Sequence, residues 1–234
     1  MTHLKVLLTG AAGRVGSELV PAFWERYDLR LLDREPLPDF PDAIQADLAD
    51  RDALRNAMTG TDVVVHLAAH PSEAAFVETL VPANIVGVYY VFEAAREAGV
   101  RRVVYASSVQ TIRGYPPDYT VSVNDPPRPA TVYGATKHFG EVLGRWFHEK
   151  HGMEFIALRI AAFMSPEKAR ERADAGNPPD LWTSPCDAVG AFQAAIEAPD
   201  IGFAVAFALS HSPSHRADLA PLRDLLGYEP QDRV

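Results

Sequence analysis

"LKVLLTG" at residues 4–10 runs directly into "AAGRVGSELV" at 11–20, and this junction decides the fold. The first segment is a short apolar run of the kind a strand buried on both faces requires. The second opens a helical pattern predicted from about Arg14 to Tyr27. Between them Gly10, Gly13 and Gly16 form a GxxGxxG arrangement. Gly10 allows a tight turn, Gly13 lets the backbone approach a pyrophosphate, and Gly16 lets the helix pack closely on the strand. The diphosphate then sits at the helix N-terminus, beside Arg14 and Val15. The alternative is a strand–helix turn with close packing and no ligand.

Along the rest of the chain, short apolar runs alternate with longer helical patterns. Strands are predicted at 29–33, 62–68, 101–108 and 154–160, and helices at 81–100, closed by Gly99, and 132–151, ended by Gly152. A Pro- and Gly-rich loop covers 114–129. This alternation predicts an α/β fold, a Rossmann-type doubly wound parallel sheet with helices on both faces. No long linker interrupts it, so 1–234 reads as one domain, with about 161–234 contributing a small substrate lobe. Asp33 ends the second strand, 23 residues after Gly10. An acidic side chain there accepts both hydroxyls of an adenine ribose, which favours NAD over NADP. Arg34 beside it could hold a 2′-phosphate, but a carboxylate in the first position repels that phosphate. Alternatively, Asp33 caps a strand end.

The bulk properties exclude several classes. A net charge of −9 leaves no basic surplus for nucleic-acid binding. The apolar runs are too short and charge-bounded to span a bilayer, and the first ten residues enter a strand pattern without the apolar core of a secretory signal. The single cysteine, Cys186, excludes an internal disulfide and suits a reducing cytoplasm; it has no adjacent base and reads as structural. His66 and His70 lack a carboxylate or cysteine partner at useful spacing, so no metal site is expected.

With the glycine loop, Asp33, Ser107–Ser108 and Tyr133–Lys137 in this order, the chain resembles the extended short-chain dehydrogenase/reductase superfamily, the NAD-dependent epimerase/dehydratase group. The resemblance implies that Asp47 and Leu48 in "ADL" lie beside the adenine ring. It places Leu67, Ala68 and Ala69 in "HLAA" along the nicotinamide ribose, and Asn84 at the family's helix asparagine. Ser107 and Ile160, at strand ends, join the cofactor-binding set, and "LGYEP" (226–230) resembles the C-terminal signature. The helices at 82–98 and 132–151 match those that pair as a four-helix bundle, which implies a homodimer. Among these enzymes the chain is similar to uronate dehydrogenases. It departs from them with Val109–Gln110 after the serine and with Ala162 where a serine is expected. The arginine expected near Asn177 is also missing, which leaves Arg113, Arg128, Arg170 and Arg172 as candidates to pair with a substrate carboxylate.

The chemistry follows from three side chains. Tyr133 and Lys137, four apart on a helix, share a face. A phenol near ~10 is a poor base at neutral pH; Lys137 and a positive nicotinamide ring favour the phenolate and bring the tyrosine into range for acid–base work. Lys137 could also hold the nicotinamide ribose. Ser108 donates to the reacting oxygen, with Ser107 the alternative donor. The competing reading of Tyr133 and Lys137 is a helix-surface pair. Ser72 either reaches the substrate or caps a helix beginning at Glu73. Val109, Gln110 and Thr111 line the pocket by adjacency. Tyr89 and Tyr90 read as a helix flank or interface, and Trp182 and Ser184 as pocket wall or packing. The first expectation is an oxidoreductase moving hydride between NAD and a hydroxyl of a sugar or sugar acid. Two alternatives are a nucleotide-sugar epimerase or dehydratase and a catalytically silent NAD(H)-binding regulator. A dehydratase adds an acidic pair after its serine, where this chain has Val109–Gln110.

Overall fold

Seven parallel strands form the central sheet of the computed structural model, which describes residues 3–234. They are β1 (Lys5–Thr9), β2 (Asp28–Asp33), β3 (Ile44–Gln45), β4 (Val63–His66), β5 (Arg102–Ser108), β6 (Glu154–Ile160) and β9 (Phe203–Ala208). Two short strands, β7 (Ala162–Phe163) and β8 (Trp182–Thr183), pair separately. The spatial order β3-β2-β1-β4-β5-β6-β9 means that the chain winds outward from β1 one way, then returns to β4 and winds the other way. Ligands of such sheets bind where that order reverses, at the carboxyl ends of the strands. Thr9, the end of β1, pairs with His66, the end of β4, at this reversal.

Alternating side chains feed two cores. Val6, Leu8, Val65, Val104 and Ile156 pack against α1 (Gly16–Phe23) and α6 (Pro185–Glu197). Leu7, Val64, Val103, Tyr105 and Phe155 face α2 (Arg51–Met58), α3 (Gly87–Glu97) and α4 (Val132–His151). These strands are apolar on both faces, which is what burial under helices on each side demands. Helix α4 lies close to the sheet because Gly140 and Gly144 face it. A Cβ on Gly140 would fall 2.5 Å from the Tyr105 ring, and one on Gly144 would enter the Phe155 ring.

The predicted strands and the 132–151 helix match the observed elements closely. The helix predicted at 81–100 is instead two elements. Residues Phe76–Val86 form a wide helical segment with i→i+5 bonds (Leu80 N–H to the Ala75 carbonyl, Gly87 N–H to that of Pro82), and α3 follows. Pro82 lacks an N–H and its ring crowds the preceding turn, so the regular ladder cannot continue through it. Helix α1 is shorter than predicted because Arg14 and Val15 still belong to the glycine loop.

The segment 161–234 supplies α5 (Pro166–Asp174), α6, β9 and α7 (Ala220–Leu226) as well as β7 and β8. Of these, β9 and α6 belong to the central layers. The C-terminus is anchored on the buried Asp187 carboxylate, which accepts from Ser210 Oγ (2.5 Å), Tyr228 Oη (2.9 Å) and the Gln231 N–H (2.7 Å). Tyr228 is the tyrosine of "LGYEP". Trp182 is fully buried, with Nε1 donating to the His211 carbonyl, and Ser184 caps α6; both serve packing and capping.

Candidate active site

The glycine loop has the geometry its spacing demands. Gly10 takes φ +80°, and a Cβ there would lie 2.5 Å from the Ala68 nitrogen. A Cβ on Gly16 would strike the Gly10 carbonyl, so helix and turn meet only because both lack side chains. Gly13 is exposed, so its backbone is open to an approaching ligand, and a Cβ there would press on the Gly10 oxygen at 3.1 Å. Val15 precedes α1 without a side-chain cap, which leaves that helix end open to an anion.

Asp33 is 9% exposed at the end of β2. Its carboxylate is held by main-chain donors, the Ala12 N–H (2.9 Å) and the Glu35 N–H (2.9 Å). Arg34 points outward and stands 3.4 Å from Glu35. Arg14 donates to the Phe163 carbonyl at 2.6 Å, tying the glycine loop to the segment after β6. Asp47 turns back on its own loop, accepting from the Ala49 N–H, and Leu48 packs against Gly87 at the start of α3. The Leu67 and Ala68 amides both donate to the Thr9 carbonyl (3.0 and 3.1 Å), which runs the 67–69 segment alongside Gly10. Asn84 is buried and fully engaged. Its Oδ1 accepts from the His70 N–H (2.8 Å), while Nδ2 donates to the His70 carbonyl and to Thr136 Oγ1 (both 3.1 Å). That asparagine braces loop against helix.

Helix α4 begins at the cap Thr131, whose hydroxyl accepts from the Gly134 N–H at 3.0 Å. Gly134 presses on the Gln110 carbonyl, leaving no room for a side chain, and so brings Tyr133 beside the end of β5. There Ser108 and Ile160 are register partners on β5 and β6. The Ser108 hydroxyl accepts from the Gln110 N–H (3.2 Å) and bears on the Tyr133 phenol. Burial pushes that phenol up to about 12, opposed by the Ser108 hydroxyl, which favours phenolate. Lys137 is 3% exposed and donates to the Ala106 carbonyl at 2.8 Å, with its ammonium 5.0 Å from the Tyr105 ring centroid. Burial pulls the Lys137 amine down to about 7. The structure therefore brings Ser108, Tyr133 and Lys137 to one sheet edge with the glycine loop. Ser107 is turned away, donating to Glu141 Oε1 at 2.5 Å.

Four groups here have contacts that their sequence neighbourhood does not announce. Glu141 is buried and receives Arg159 through Nε (2.9 Å) and Nη2 (2.8 Å); Arg159, His138 and Ser107 overcome desolvation and hold its carboxyl down at about 2. Its place four residues after Lys137, on the same face, was the available signal. His66 is fully buried with Nδ1 2.7 Å from Thr9 Oγ1, and burial and then the Lys137 charge pull it down to about 3. Tyr105 underlies Lys137 as a buried ring. Glu73, on the loop after β4, accepts the Tyr133 N–H at 3.0 Å; nothing local in the sequence announces a partner 60 residues away.

Other expected residues lie as follows. Ser72 is exposed and caps no helix, because the following segment begins at Phe76; its carbonyl instead meets His70 Nδ1. Val109 and Thr111 are buried, and Gln110 is partly exposed beside Ser108. Arg113 is committed to Asp180 (2.6 Å), and Arg128 lies over the Tyr115 ring. Arg170 and Arg172 are on α5. Cys186 is exposed in the first turn of α6 rather than built into the core. No group of three or more metal-ligating side chains occurs among the described residues. A cavity of about 600 Å³ opens near Leu209–Leu219 and contains none of the expected site residues. Its arginines are paired, Arg216 with Asp180 and Arg223 with Asp224, so the convergent chemistry lies at the Ser108 edge instead.

Comparison with known proteins shows the family to which the chain belongs. Residues 6–182 match the NAD dependent epimerase/dehydratase family. The chain is 35% identical to a NAD-dependent glucose-6-phosphate dehydrogenase of Haloferax volcanii, over 97% of this chain and 93% of that protein. It is also 35% identical to an L-arabinose 1-dehydrogenase (NAD(P)(+)) of the same organism, over 97% of this chain and 96% of that one. Among solved structures, a mutant uronate dehydrogenase from Agrobacterium tumefaciens complexed with NAD superposes with TM-score 0.87 at 34% identity, covering 98% of this chain and 85% of that one. On its sequence, its parallel sheet and its glycine loop, the chain belongs to the NAD-dependent epimerase/dehydratase family.

Proposed function

We propose that the protein is an NAD-dependent oxidoreductase that oxidises a hydroxyl of a sugar or sugar acid. The observation that carries this reading is the convergence of Ser108, Tyr133 and Lys137 with an open glycine loop at one sheet edge. The open backbone at Gly13, the uncapped start of α1 and the fixed Asp33 carboxylate fit a dinucleotide with an unmodified adenine ribose. When bound, NAD supplies a hydride acceptor. The chain's own residues do the rest. Tyr133 takes the substrate hydroxyl proton, Ser108 hydrogen-bonds the same oxygen and favours phenolate, and Lys137 stands one turn behind on α4, held to the Ala106 carbonyl. The glucose-6-phosphate, arabinose and uronate dehydrogenases among the relatives support a sugar substrate.

A homodimer is part of this proposal. Val86, Tyr89, Val132, Val142 and Trp146 are exposed on α4 and on the helical pair before it, and such a patch favours a second copy. The single cysteine supports a reducing compartment, the cytoplasm. Purified protein with NAD, screened against aldoses, aldose phosphates and uronic acids by NADH absorbance, tests the function. Release of NADH from one of these classes sustains it, and silence across all of them sinks it. Light scattering during size exclusion tests the dimer.

A further inference from the structure

We propose that Glu73 is a positioning residue that fixes Tyr133 for its acid–base role; this rests on the function proposed above. The observation is a contact between the loop after β4 and the start of α4: the Tyr133 N–H donates to Glu73 Oε2 at 3.0 Å. The first turn of a helix leaves amides without intrahelical partners. Thr131 takes the Gly134 amide, and Glu73 takes that of Tyr133, bringing a carboxylate to the positive end of the helix.

The other side of Tyr133 is held from within α4 and linked to that loop through Asn84. Its carbonyl accepts from Thr136 Oγ1 at 2.7 Å. Thr136 Oγ1 in turn accepts from Asn84 Nδ2, and Asn84 grips both the N–H and the carbonyl of His70. Residues 70–73 therefore meet the Tyr133 backbone directly at its N–H, through Glu73, and indirectly at its carbonyl, through Asn84 and Thr136. That loop leaves β4 through Leu67 and Ala68, whose amides bond the Thr9 carbonyl next to Gly10. The backbone of 67–73 and its hydrogen bonds thus connect the glycine loop to Tyr133, and Glu73 is the exposed contact at its end. A misplacement of ~1 Å at a reacting group can lower a rate by as much as ~10²-fold. Because Glu73 is at the surface, removing it tests the clamp without opening the core.

The experiment compares the full-length wild type with Glu73→Ala and Glu73→Gln. It reads amide hydrogen exchange over 131–138 by mass spectrometry, NAD affinity by fluorescence, thermal midpoint, and turnover on the substrate found by the screen. Glu73→Ala is expected to speed exchange in the first turn of α4 and to lower kcat by about tenfold, with NAD affinity and thermal midpoint close to wild type. Glu73→Gln keeps an accepting oxygen and is expected to restore both protection and most of kcat. Unchanged exchange in Glu73→Ala overturns the proposal, and so does a Gln variant as impaired as the Ala variant. If the wild type oxidises no sugar, the function reading fails, while the exchange measurement still decides the clamp.

Discussion

Ser107 and Ser108 are adjacent on β5, yet their hydroxyls serve opposite ends of the site. Ser107 donates to Glu141 Oε1 at 2.5 Å, beneath α4, while Ser108 accepts from the Gln110 N–H and bears on the Tyr133 phenol. Strand alternation sends neighbours to opposite faces, so only one of the two can meet Tyr133. Ser108→Ala is expected to lower kcat by about 10²-fold or more through loss of a donor to the reacting oxygen. Ser107→Ala should leave kcat within a few-fold and lower stability by ~1–2 kcal/mol, because a buried carboxylate loses a donor. Steady-state kinetics with thermal unfolding of both variants separates the roles; equal kinetic losses would contradict this division.

Tyr133→Phe removes the proton acceptor but little else. A fall in kcat of ~10²–10⁴-fold is expected, with NAD affinity near wild type by fluorescence titration. Burial raises the phenol to about 12, so the phenolate fraction, and with it the oxidation rate of the wild type, should climb as pH rises from 6 to 9. A rate that is flat over that range would argue against Tyr133 as the base.

Asp33 should set cofactor choice. Its carboxylate is held by two main-chain amides, while Arg34 faces solvent. Asp33→Ala is expected to reduce the preference for NAD over NADP by about tenfold or more, since a charged hydrogen bond to the ribose carries ~1.5–3 kcal/mol. Binding titrations with both nucleotides check this.

His66 gives a pH signature of stability. Burial and then the Lys137 charge pull its folded pKa down to about 3, from an ordinary value of ~6.5. Between those values the unfolded chain binds a proton that the folded chain refuses. The stability contributed by neutral His66 is thus full above ~6.5 and declines as pH falls toward 3, by up to ~1.4 kcal/mol per pH unit. Denaturant titrations of wild type and His66→Gln from pH 7 to 4 should show a shallower acid decline in the variant.

Gly134→Ala probes the close approach that sets the tyrosine. Its Cβ would enter the Gln110 carbonyl, a main-chain atom that cannot rotate away. Despite alanine's better helix propensity, a loss of ~1–3 kcal/mol is expected, together with reduced turnover. Gly99→Ala meets no neighbour but sits at φ +71°, so it should lower stability without touching kcat.

The sequence by itself determined the alternation of strands and helices, the glycine loop, the acidic end of β2 and the placing of Tyr133 and Lys137 on one helix, because each is written in local periodicity or short spacing. The YxxxK spacing is a property of one helix, and GxxGxxG of one turn. It could not determine which of two adjacent serines faces Tyr133, since that depends on how β5 presents its faces to α4. Nor could it foresee that a wide helical segment containing Pro82 ends at Val86 and gives way to α3, that Asn84 is spent bracing His70 and Thr136, or that Arg113 is taken by Asp180. The Glu141–Arg159 pair and the Glu73 contact with Tyr133 join residues far apart in the chain. Only the packed sheet brings those partners within hydrogen-bonding distance, because such bonds form over about 3 Å whatever the separation along the chain.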